Sequence, residues 1–222
     1  MGATETKQAL AGSVVAQKLR ASIMNGELRP GAKLSETSLG AALGVSRNTL
    51  REAFTVLGAE RIITRIPNRG VFVARPSAAD VREMYRIRRV LEPAALLQPA
   101  SPKEAAQALA DAVQQGLAAR ERHDVAAMAA ANQQFHARVV ALAQSPRLDA
   151  LMAHVQAEMR LVFHTMADDP GFHAPFSVEN ARIFSLWSDG QAATAAVELG
   201  EYLDTAQAQV LAAMPAERDR SL

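Results

Sequence analysis

Residues 35–57 read SETSLGAALGVSRNTLREAFTVL, and this stretch predicts two short helices joined by a sharp turn. Gly44 can supply the turn, because glycine enters the left-handed backbone region without a steric cost. Ser35 and Ser46 precede the two helices as N-caps, whose hydroxyls accept a hydrogen bond from the helix start. Apolar residues recur at helical spacing on both sides of the turn, at Leu39, Leu43, Leu50, Phe54 and Leu57. The pattern is that of a helix-turn-helix.

The flanking sequence extends this helix pair to a winged helix-turn-helix. Upstream, an apolar stripe predicts a first helix that ends at Asn25-Gly26. The stripe consists of Val15, Leu19 and Ile23. Downstream, Ile62–Ile66 and Val71–Val73 predict two strands joined by a turn at 67–70. We therefore predict a mainly α fold that begins, in residues 1–76, with three helices and a two-stranded wing.

The charge of the chain is divided between its two parts. The 222 residues have a net charge of only +1, but residues 1–76 carry 11 Lys and Arg against 5 Asp and Glu, a net charge of +6. Residues 77–222 carry 13 against 18, a net charge of −5. A basic first part beside an acidic remainder indicates that the first part binds a polyanion such as DNA.

Several classes of protein are excluded by what the sequence lacks. The chain has no cysteine, which excludes disulfides, thiolate metal sites, iron–sulfur clusters and a cysteine nucleophile. No apolar run approaches the roughly 18 residues that a membrane-spanning helix needs, so we expect no membrane partner. The N-terminal residues lack the basic and apolar blocks of a signal peptide, so we expect a cytoplasmic protein.

The start of the helix after Gly44 and the tip of the wing carry side chains suited to DNA. Early residues of a recognition helix reach base edges, and an arginine at a wing tip can enter the minor groove. The candidates of this kind are Ser46, Arg47, Asn48, Thr49, Arg51, Arg69 and Gly70. Glycine-joined helix pairs also occur in proteins that do not bind DNA, where such arginines are merely solvated. The predicted wing and the local charge of +6 favour DNA binding.

Residues 77–222 predict an all-helical domain. Alanine-rich segments with Leu, Val and Met at helical spacing alternate with breaks formed by Pro, Gly, Ser and Asp. The predicted helices cover residues 77–99, 102–122, 124–143, 146–168, 176–188 and 191–213. Such helices must bury their apolar stripes against each other, which gives a bundle of about six helices.

The N-terminal part resembles the GntR family of bacterial transcription factors over about 65 residues. The resemblance is carried by Gly26–Gly31, Leu34–Glu36, Leu43–Arg47, Leu50–Ala53 and Asn68–Gly70. It implies base or phosphate contacts by Arg47 and Arg51, backbone positioning by Ser46, Asn48 and Thr49, and a wing contact by Arg69 with Gly70. Many members have an arginine where this chain has Thr37, which together with Ser35 completes the candidate DNA-binding set. Threonine can form a hydrogen bond with a phosphate, but unlike arginine it cannot donate two parallel hydrogen bonds to guanine. An altered sequence preference is therefore expected.

The helical part resembles the FCD domain of the FadR subfamily of GntR regulators. Val81–Pro93 resembles the first helix of that domain, and Asn132–His136 resembles a second motif. The resemblance implies a homodimer that binds a palindromic operator and responds to a small metabolite, commonly a carboxylate. Residues 77–222 are thereby expected to form the effector-binding and dimerisation domain.

Many FCD domains hold a divalent metal with one aspartate and three histidines, and the matching positions here are Asn132, His136, Asn180 and Tyr202. One imidazole with amides and a phenol is a poor ligand set, so we expect no tightly bound metal and no cofactor. A metal site at His136 with Asn132 would need help from His154 or His164. The four residues can instead form a hydrogen-bonded cluster in the bundle, or line a metal-free effector pocket in which Arg88 pairs with an acid group. We favour the pocket.

Two other functions are alternatives to that of a ligand-responsive regulator. A metal-assisted hydrolase is disfavoured because the sequence has no His-Glu-x-x-His motif, phosphate-binding loop or nucleophile elbow. A purely structural dimerisation module would leave the basic wing unexplained. We therefore predict a DNA-binding regulator and not an enzyme.

Overall fold

The computed structural model describes residues 2–99, 103–163 and 170–214, and the side chains of residues 10–99, 103–163 and 173–214. The chain divides into two compact units. The first comprises the described part of Met1–Pro76 and Ala157–His164, and the second the described part of Ser77–Gln156 and Thr165–Leu222. One border between the units thus lies at Pro76, and a second, unanticipated one lies at Ala157.

The first unit contains three helices and three short strands among its described residues. They are α1 (Gly2–Met24), β1 (Lys33–Leu34), α2 (Glu36–Leu43), α3 (Arg47–Ala59), β2 (Ile63–Ile66) and β3 (Gly70–Val73). This confirms the predicted winged helix-turn-helix, with one additional strand. The two residues of β1 are too few to show an alternation in sequence, and they become a strand only by pairing with β3.

The turn between α2 and α3 has the predicted chemistry. Gly44 ends α2 in the left-handed conformation, with φ 65°. Ser35 and Ser46 are the N-caps of α2 and α3, and their hydroxyls accept hydrogen bonds from the backbone N–H of Ser38 and Thr49. Each cap satisfies a helix N–H that has no partner within its own helix, so the sequence fixes where both helices begin.

The core of the first unit is formed by the predicted apolar faces of α1 and α3. The buried residues include Val15, Leu19, Ile23, Leu50, Phe54 and Leu57. Gly12 lets α1 approach α3 closely, since a Cβ atom placed there would lie 2.9 Å from Glu52 Cβ. Leu161 joins the same core, and Arg160 Nε donates to the carbonyl of Met24 at 3.3 Å.

The strands form an antiparallel sheet in the order β1-β3-β2. Leu34 pairs with Val71, and both are buried against the helices. Lys33 pairs with Phe72 on the other face of the sheet, where the Lys33 Nζ lies 6.0 Å from the centre of the Phe72 ring. The sheet therefore closes one side of the core and projects the wing turn, residues 67–69, from its edge.

The second unit is helical throughout its described residues. Its helices are α4 (Ala78–Leu96), α5 (Lys103–Glu121), α6 (Val125–Ala141), α7 (Pro146–Phe163), α8 (Pro170–Ser188) and α9 (Ala192–Ala213), with the end of α7 grouped with the first unit. This confirms the predicted number and type of elements. The predicted continuation of this helix over residues 164–168 lies outside the described residues.

Helix α8 begins earlier than the sequence predicts. The expected start was residue 176, but the helix starts at Pro170 and contains Pro175. Pro170 occupies the first helical position, where a proline costs no hydrogen bond, and Pro175, the sixth residue, removes a single backbone hydrogen bond. The predicted boundary was therefore wrong, while the helix itself was predicted correctly.

Candidate DNA interface and candidate effector site

The N-terminal end of α3 presents exposed polar and basic side chains. Arg47 and Asn48 occupy its first two positions and are exposed, and Arg51 one turn later is also exposed. The Ser46 cap fixes the direction of these side chains, because it anchors the first turn of α3 through Thr49 N–H. A helix N-terminus with exposed arginines attracts phosphate, and its early side chains can reach base edges.

Thr49 has a different environment from its neighbours. Its side chain is only 8% exposed, and its Oγ1 lies 2.9 Å from Ser46 Oγ. The Thr49 side chain therefore belongs to the cap that begins α3, and the exposed predicted contacts nearby are Arg47, Asn48 and Arg51.

The first turn of α2 adjoins this surface. Ser35 and Thr37 are exposed, and Ser35 Oγ is held by the backbone and hydroxyl of Ser38. Between them, Glu36 accepts hydrogen bonds from Arg51 Nε at 3.2 and 3.3 Å. Glu36 was not among the predicted contacts, and an acidic residue in the first turn of a helix is common because it complements the helix dipole.

The wing tip carries the other predicted contacts. Arg69 and Gly70 are exposed, and the turn is made by Asn68 at φ 59° followed by Gly70 at φ 110°. A Cβ atom at Gly70 would lie 3.3 Å from Lys33 Cε. Lys33 is thus a further exposed basic residue beside the wing tip, and its position depends on the β1–β3 pairing that sequence analysis missed.

The five predicted effector residues lie together in the second unit. They form, with one additional residue, a group that we call the polar cluster: Arg88 and Glu92 on α4, Asn132 and His136 on α6, Asn180 on α8 and Tyr202 on α9. All except Asn132 are less than 9% exposed. Four helices therefore bring these polar groups into the interior of the bundle.

A continuous chain of hydrogen bonds connects one side of the cluster. Arg88 Nε donates to Glu92 Oε1 at 2.7 Å, and His136 Nδ1 lies 2.7 Å from Glu92 Oε2. His136 Nε2 is 3.1 Å from the Tyr202 hydroxyl, which is 2.9 Å from Asn132 Oδ1. The network extends further, since Asn180 Nδ2 donates to Asn132 Oδ1 at 2.7 Å.

Glu92 is the centre of the cluster and was missed as a site residue. It is fully buried, whereas a glutamate in a helix is usually exposed, so its residue type alone did not mark it as a site residue. The available indication was its spacing of four residues from Arg88, which allows an ion pair on one helix face. Arg88 also lies over the Tyr85 ring, with its Cζ 4.9 Å from the ring centre. Arg86 and Arg89 of the same helix bond instead to Glu83 and Asp204.

The buried charges shift the ionisation of the cluster. Burial alone would raise the pKa of Glu92, but the adjacent Arg88 and the bonds from His136 and Arg88 lower it, so Glu92 is a carboxylate. Burial lowers the pKa of His136 more than the charge of Glu92 raises it, so His136 is neutral. Burial also raises the pKa of Tyr202, which keeps its proton.

These protonation states define the direction of the hydrogen bonds. Glu92 can only accept, so the single imidazole proton of His136 lies on Nδ1 and is donated to it. His136 Nε2 is then an acceptor, and the single Tyr202 proton is donated either to Nε2 or to Asn132 Oδ1. The arrangement leaves Arg88 and Glu92 as a neutralised buried pair.

Two buried atoms of the cluster have no hydrogen-bond partner among the described residues. They are Arg88 Nη2, a charged donor, and Asn180 Oδ1, an acceptor. An unpaired buried polar atom is costly, and native structures seldom contain one without a ligand, water or ion to bind.

The cluster does not suit a divalent metal. Both nitrogens of His136 are engaged, the Glu92 carboxylate is paired with Arg88, and the remaining oxygens belong to neutral amides and a phenol. Among the described residues, no group of three His, Cys, Asp or Glu side chains is placed to hold a metal ion. His154 is exposed, and His164 lies outside the described residues.

Known protein families match both units. The family described as "Bacterial regulatory proteins, gntR family" matches residues 11–73, and the FCD domain matches residues 83–205. A solved structure of a putative GntR transcriptional regulator from Rhodococcus sp. RHA1 is 39% identical, with a TM-score of 0.84, and the match covers 92% of this chain and 99% of that one.

Curated relatives agree with these matches. An uncharacterized HTH-type transcriptional regulator from Agrobacterium vitis is 31% identical over 56% of this chain and 76% of its own length. A gluconate operon transcriptional repressor from Bacillus licheniformis is 38% identical over 38% of this chain and 35% of its own length. These proteins are regulators, which confirms that the chain is not an enzyme.

Within the described residues, every helix is too short or too polar to cross a membrane.

Proposed function

Since the chain belongs to the GntR family of bacterial regulatory proteins and carries an FCD domain, we propose that it is a cytoplasmic regulator that binds a palindromic operator as a homodimer. A small organic acid controls this binding. Residues 1–76 are the DNA-binding domain, and residues 77–222 bind the effector and dimerise. Two recognition helices related by a two-fold axis would enter half-sites about one DNA turn apart.

The observation that carries the DNA-binding proposal is the exposed surface at the start of α3. Arg47, Asn48 and Arg51 project from a helix whose N-terminus is capped, and Arg69 lies exposed at the wing tip. The positive charge of the arginines attracts phosphates, and their planar guanidinium groups can donate two hydrogen bonds to a base edge. The Ser46 cap sets where α3 begins and therefore where these residues lie on the helix. Thr49 acts through the cap.

Fluorescence anisotropy with the DNA upstream of the chain's own gene tests this proposal. Specific binding should weaken as salt increases, because each phosphate contact releases counterions. Arg47→Ala should reduce operator affinity, while Lys18→Ala, which removes an exposed charge from α1, should change it little. Absence of specific binding with and without candidate acids, or equal losses for both variants, would contradict the assignment.

Sedimentation analysis tests the homodimer. The expected mass is twice the 23.7 kDa of the chain. One dimer should bind one palindromic site, and deletion of a half-site should abolish specific binding. A monomer that binds a single half-site with the same affinity would contradict this part of the proposal.

The effector proposal is supported by the unpaired atoms of the polar cluster. Arg88 Nη2 is a buried cationic donor, for which a carboxylate oxygen is a matching acceptor, and Asn180 Oδ1 can accept from a second group of the same ligand. Two surface depressions of 390 and 290 Å³ lie beside α5 and α6, the larger also touching Ala174 of α8, and no member of the cluster lines either of them. Because Arg88 is 4% exposed, ligand entry requires a local opening of the bundle.

Thermal-shift screening with small mono- and dicarboxylates tests the effector site. An acid that binds the folded protein raises its melting temperature and should change operator affinity. Arg88→Ala would leave Glu92 buried without its cation, so Arg88→Lys is the better variant. It keeps the charge but loses the planar fork, and it should bind DNA normally while losing the response to the acid. A normal response in Arg88→Lys would contradict the proposed carboxylate contact.

A further inference from the structure

We propose that Glu36 is a positioning residue for DNA recognition, which holds Arg51 in the orientation that contacts the operator. This inference rests on the proposed DNA binding and adds a residue to it. Glu36 is the first residue of α2, and Arg51 lies in the second turn of α3. The contact therefore joins the two helices of the helix-turn-helix on their exposed side.

The contact engages Arg51 through Nε and leaves its two terminal nitrogens, Nη1 and Nη2, available for DNA. Both carboxylate oxygens of Glu36 accept from the Nε atom of Arg51, at 3.2 and 3.3 Å. The guanidinium is planar, so a partner at Nε restricts its rotation while Nη1 and Nη2 remain as a fork. The Arg51 side chain is 60% exposed, which leaves that fork accessible to a base edge or a phosphate.

Glu36 is otherwise an unfavourable residue on this surface. It lies beside Thr37 and opposite Arg51, where DNA phosphates would approach, and its negative charge repels them. The first turn of α2 compensates part of this charge through the helix dipole. If Glu36 only repelled phosphates, its removal should raise DNA affinity. If it positions Arg51, its removal should lower operator affinity, so the two roles predict changes of opposite sign.

The experiment measures operator affinity by fluorescence anisotropy for wild type, Glu36→Ala, Glu36→Gln, Arg51→Ala and the Glu36→Ala/Arg51→Ala double variant. A bidentate arginine contact contributes about 5- to 140-fold in affinity, so loss of its positioning should weaken Glu36→Ala binding by roughly fivefold or more. Glu36→Gln, which keeps an acceptor oxygen for Nε, should lose less. In the Arg51→Ala background, Glu36→Ala should cause no further loss, because the residue that it positions is absent.

Glu27→Ala serves as the matched control, since it removes an exposed acidic side chain from the same unit. It should leave operator affinity unchanged or slightly increased, and circular dichroism melting should show that all variants are folded. On random-sequence DNA at low salt, Glu36→Ala should bind as well as wild type or better, because only the repulsion is removed.

Two results would overturn the proposal. In one, Glu36→Ala binds the operator as tightly as wild type or more tightly, so that Glu36 acts only as a repelling charge. In the other, Glu36→Ala weakens binding by the same factor with and without Arg51. Both differ from a failure of the proposed function, in which wild type itself would show no specific binding.

Discussion

Replacement of Glu92 by alanine is the most informative perturbation of the helical domain. Glu92 is 0% exposed and accepts from Arg88 and His136, each at 2.7 Å. Alanine would remove both hydrogen bonds and leave the Arg88 guanidinium charged at 4% exposure, with Nη2 already unpaired. The variant therefore isolates a buried cation in an environment that cannot solvate it.

The expected loss is large because the Glu92 carboxylate neutralises a buried charge. Breaking a buried ion pair by removing one partner costs about 3–5 kcal/mol, which is a large fraction of a domain's stability. The solvent-accessible Arg89–Asp204 pair also involves an arginine of α4, which it joins to α9, and it serves as the control. Asp204→Ala should cost less than about 1 kcal/mol, since water solvates both partners. Adding Arg88→Met to Glu92→Ala should recover part of the loss, because the isolated cation is then removed.

Urea unfolding followed by tryptophan fluorescence measures these differences. Trp187 is the only tryptophan of the chain and lies on α8, so its emission reports on the helical unit. The change in midpoint multiplied by the slope gives the change in unfolding free energy, provided that all variants are measured at one protein concentration. A loss below about 1 kcal/mol for Glu92→Ala, or no recovery in the double variant, would refute the argument that Glu92 balances the Arg88 charge.

Two further predictions follow from the turn and from the ionisation of the cluster. Gly44→Ala should destabilise the first unit by about 1 kcal/mol in a melting experiment, because Gly44 has φ 65°, a backbone conformation that alanine disfavours. The added Cβ itself would meet no atom within 4 Å, so the loss would come from the backbone alone. An unchanged melting temperature would contradict this reasoning. Folding lowers the pKa values of both Glu92 and His136, so the unfolded chain binds more protons than the folded chain as the pH falls. The helical unit should therefore lose stability below the ordinary His136 pKa of 6.5, and again below the ordinary Glu92 pKa of 4.5. His136→Gln should remove the first of these losses in urea unfolding at a series of pH values, and an unchanged pH dependence in that variant would show that another group is responsible.

Local sequence determined the elements of the DNA-binding part. Gly44, Ser35 and Ser46 act on backbone groups within a few residues of themselves, so their roles can be inferred without tertiary contacts. The core faces of α1 and α3 were predicted for a similar reason, since helical periodicity places apolar residues on one side. The strand β1 was missed because two residues show no periodicity and pair only with a distant strand.

The candidate contacts on Arg51 and at the wing required the folded chain. Glu36 and Arg51 are 15 residues apart, and their contact depends on how α2 crosses α3. The position of Lys33 beside Gly70 depends in the same way on the pairing of β1 with β3. The sequence shows which residues are basic. Only the packing of the chain brings Glu36 to Arg51 and Lys33 to Gly70.

The sequence by itself determined the winged helix-turn-helix, the helical second part and the division of charge between them, because these follow from local periodicity, capping and composition. It also named Arg88, Asn132, His136, Asn180 and Tyr202 as one group, through resemblance to a family. Only the tertiary structure decided that Glu92 joins them, because it places the Glu92 carboxylate between Arg88 of its own helix and His136 of α6. The physical reason is that helical spacing allows the Arg88–Glu92 pair but does not bury it, whereas the contacts that join this pair to His136 and Tyr202 depend on how the helices pack.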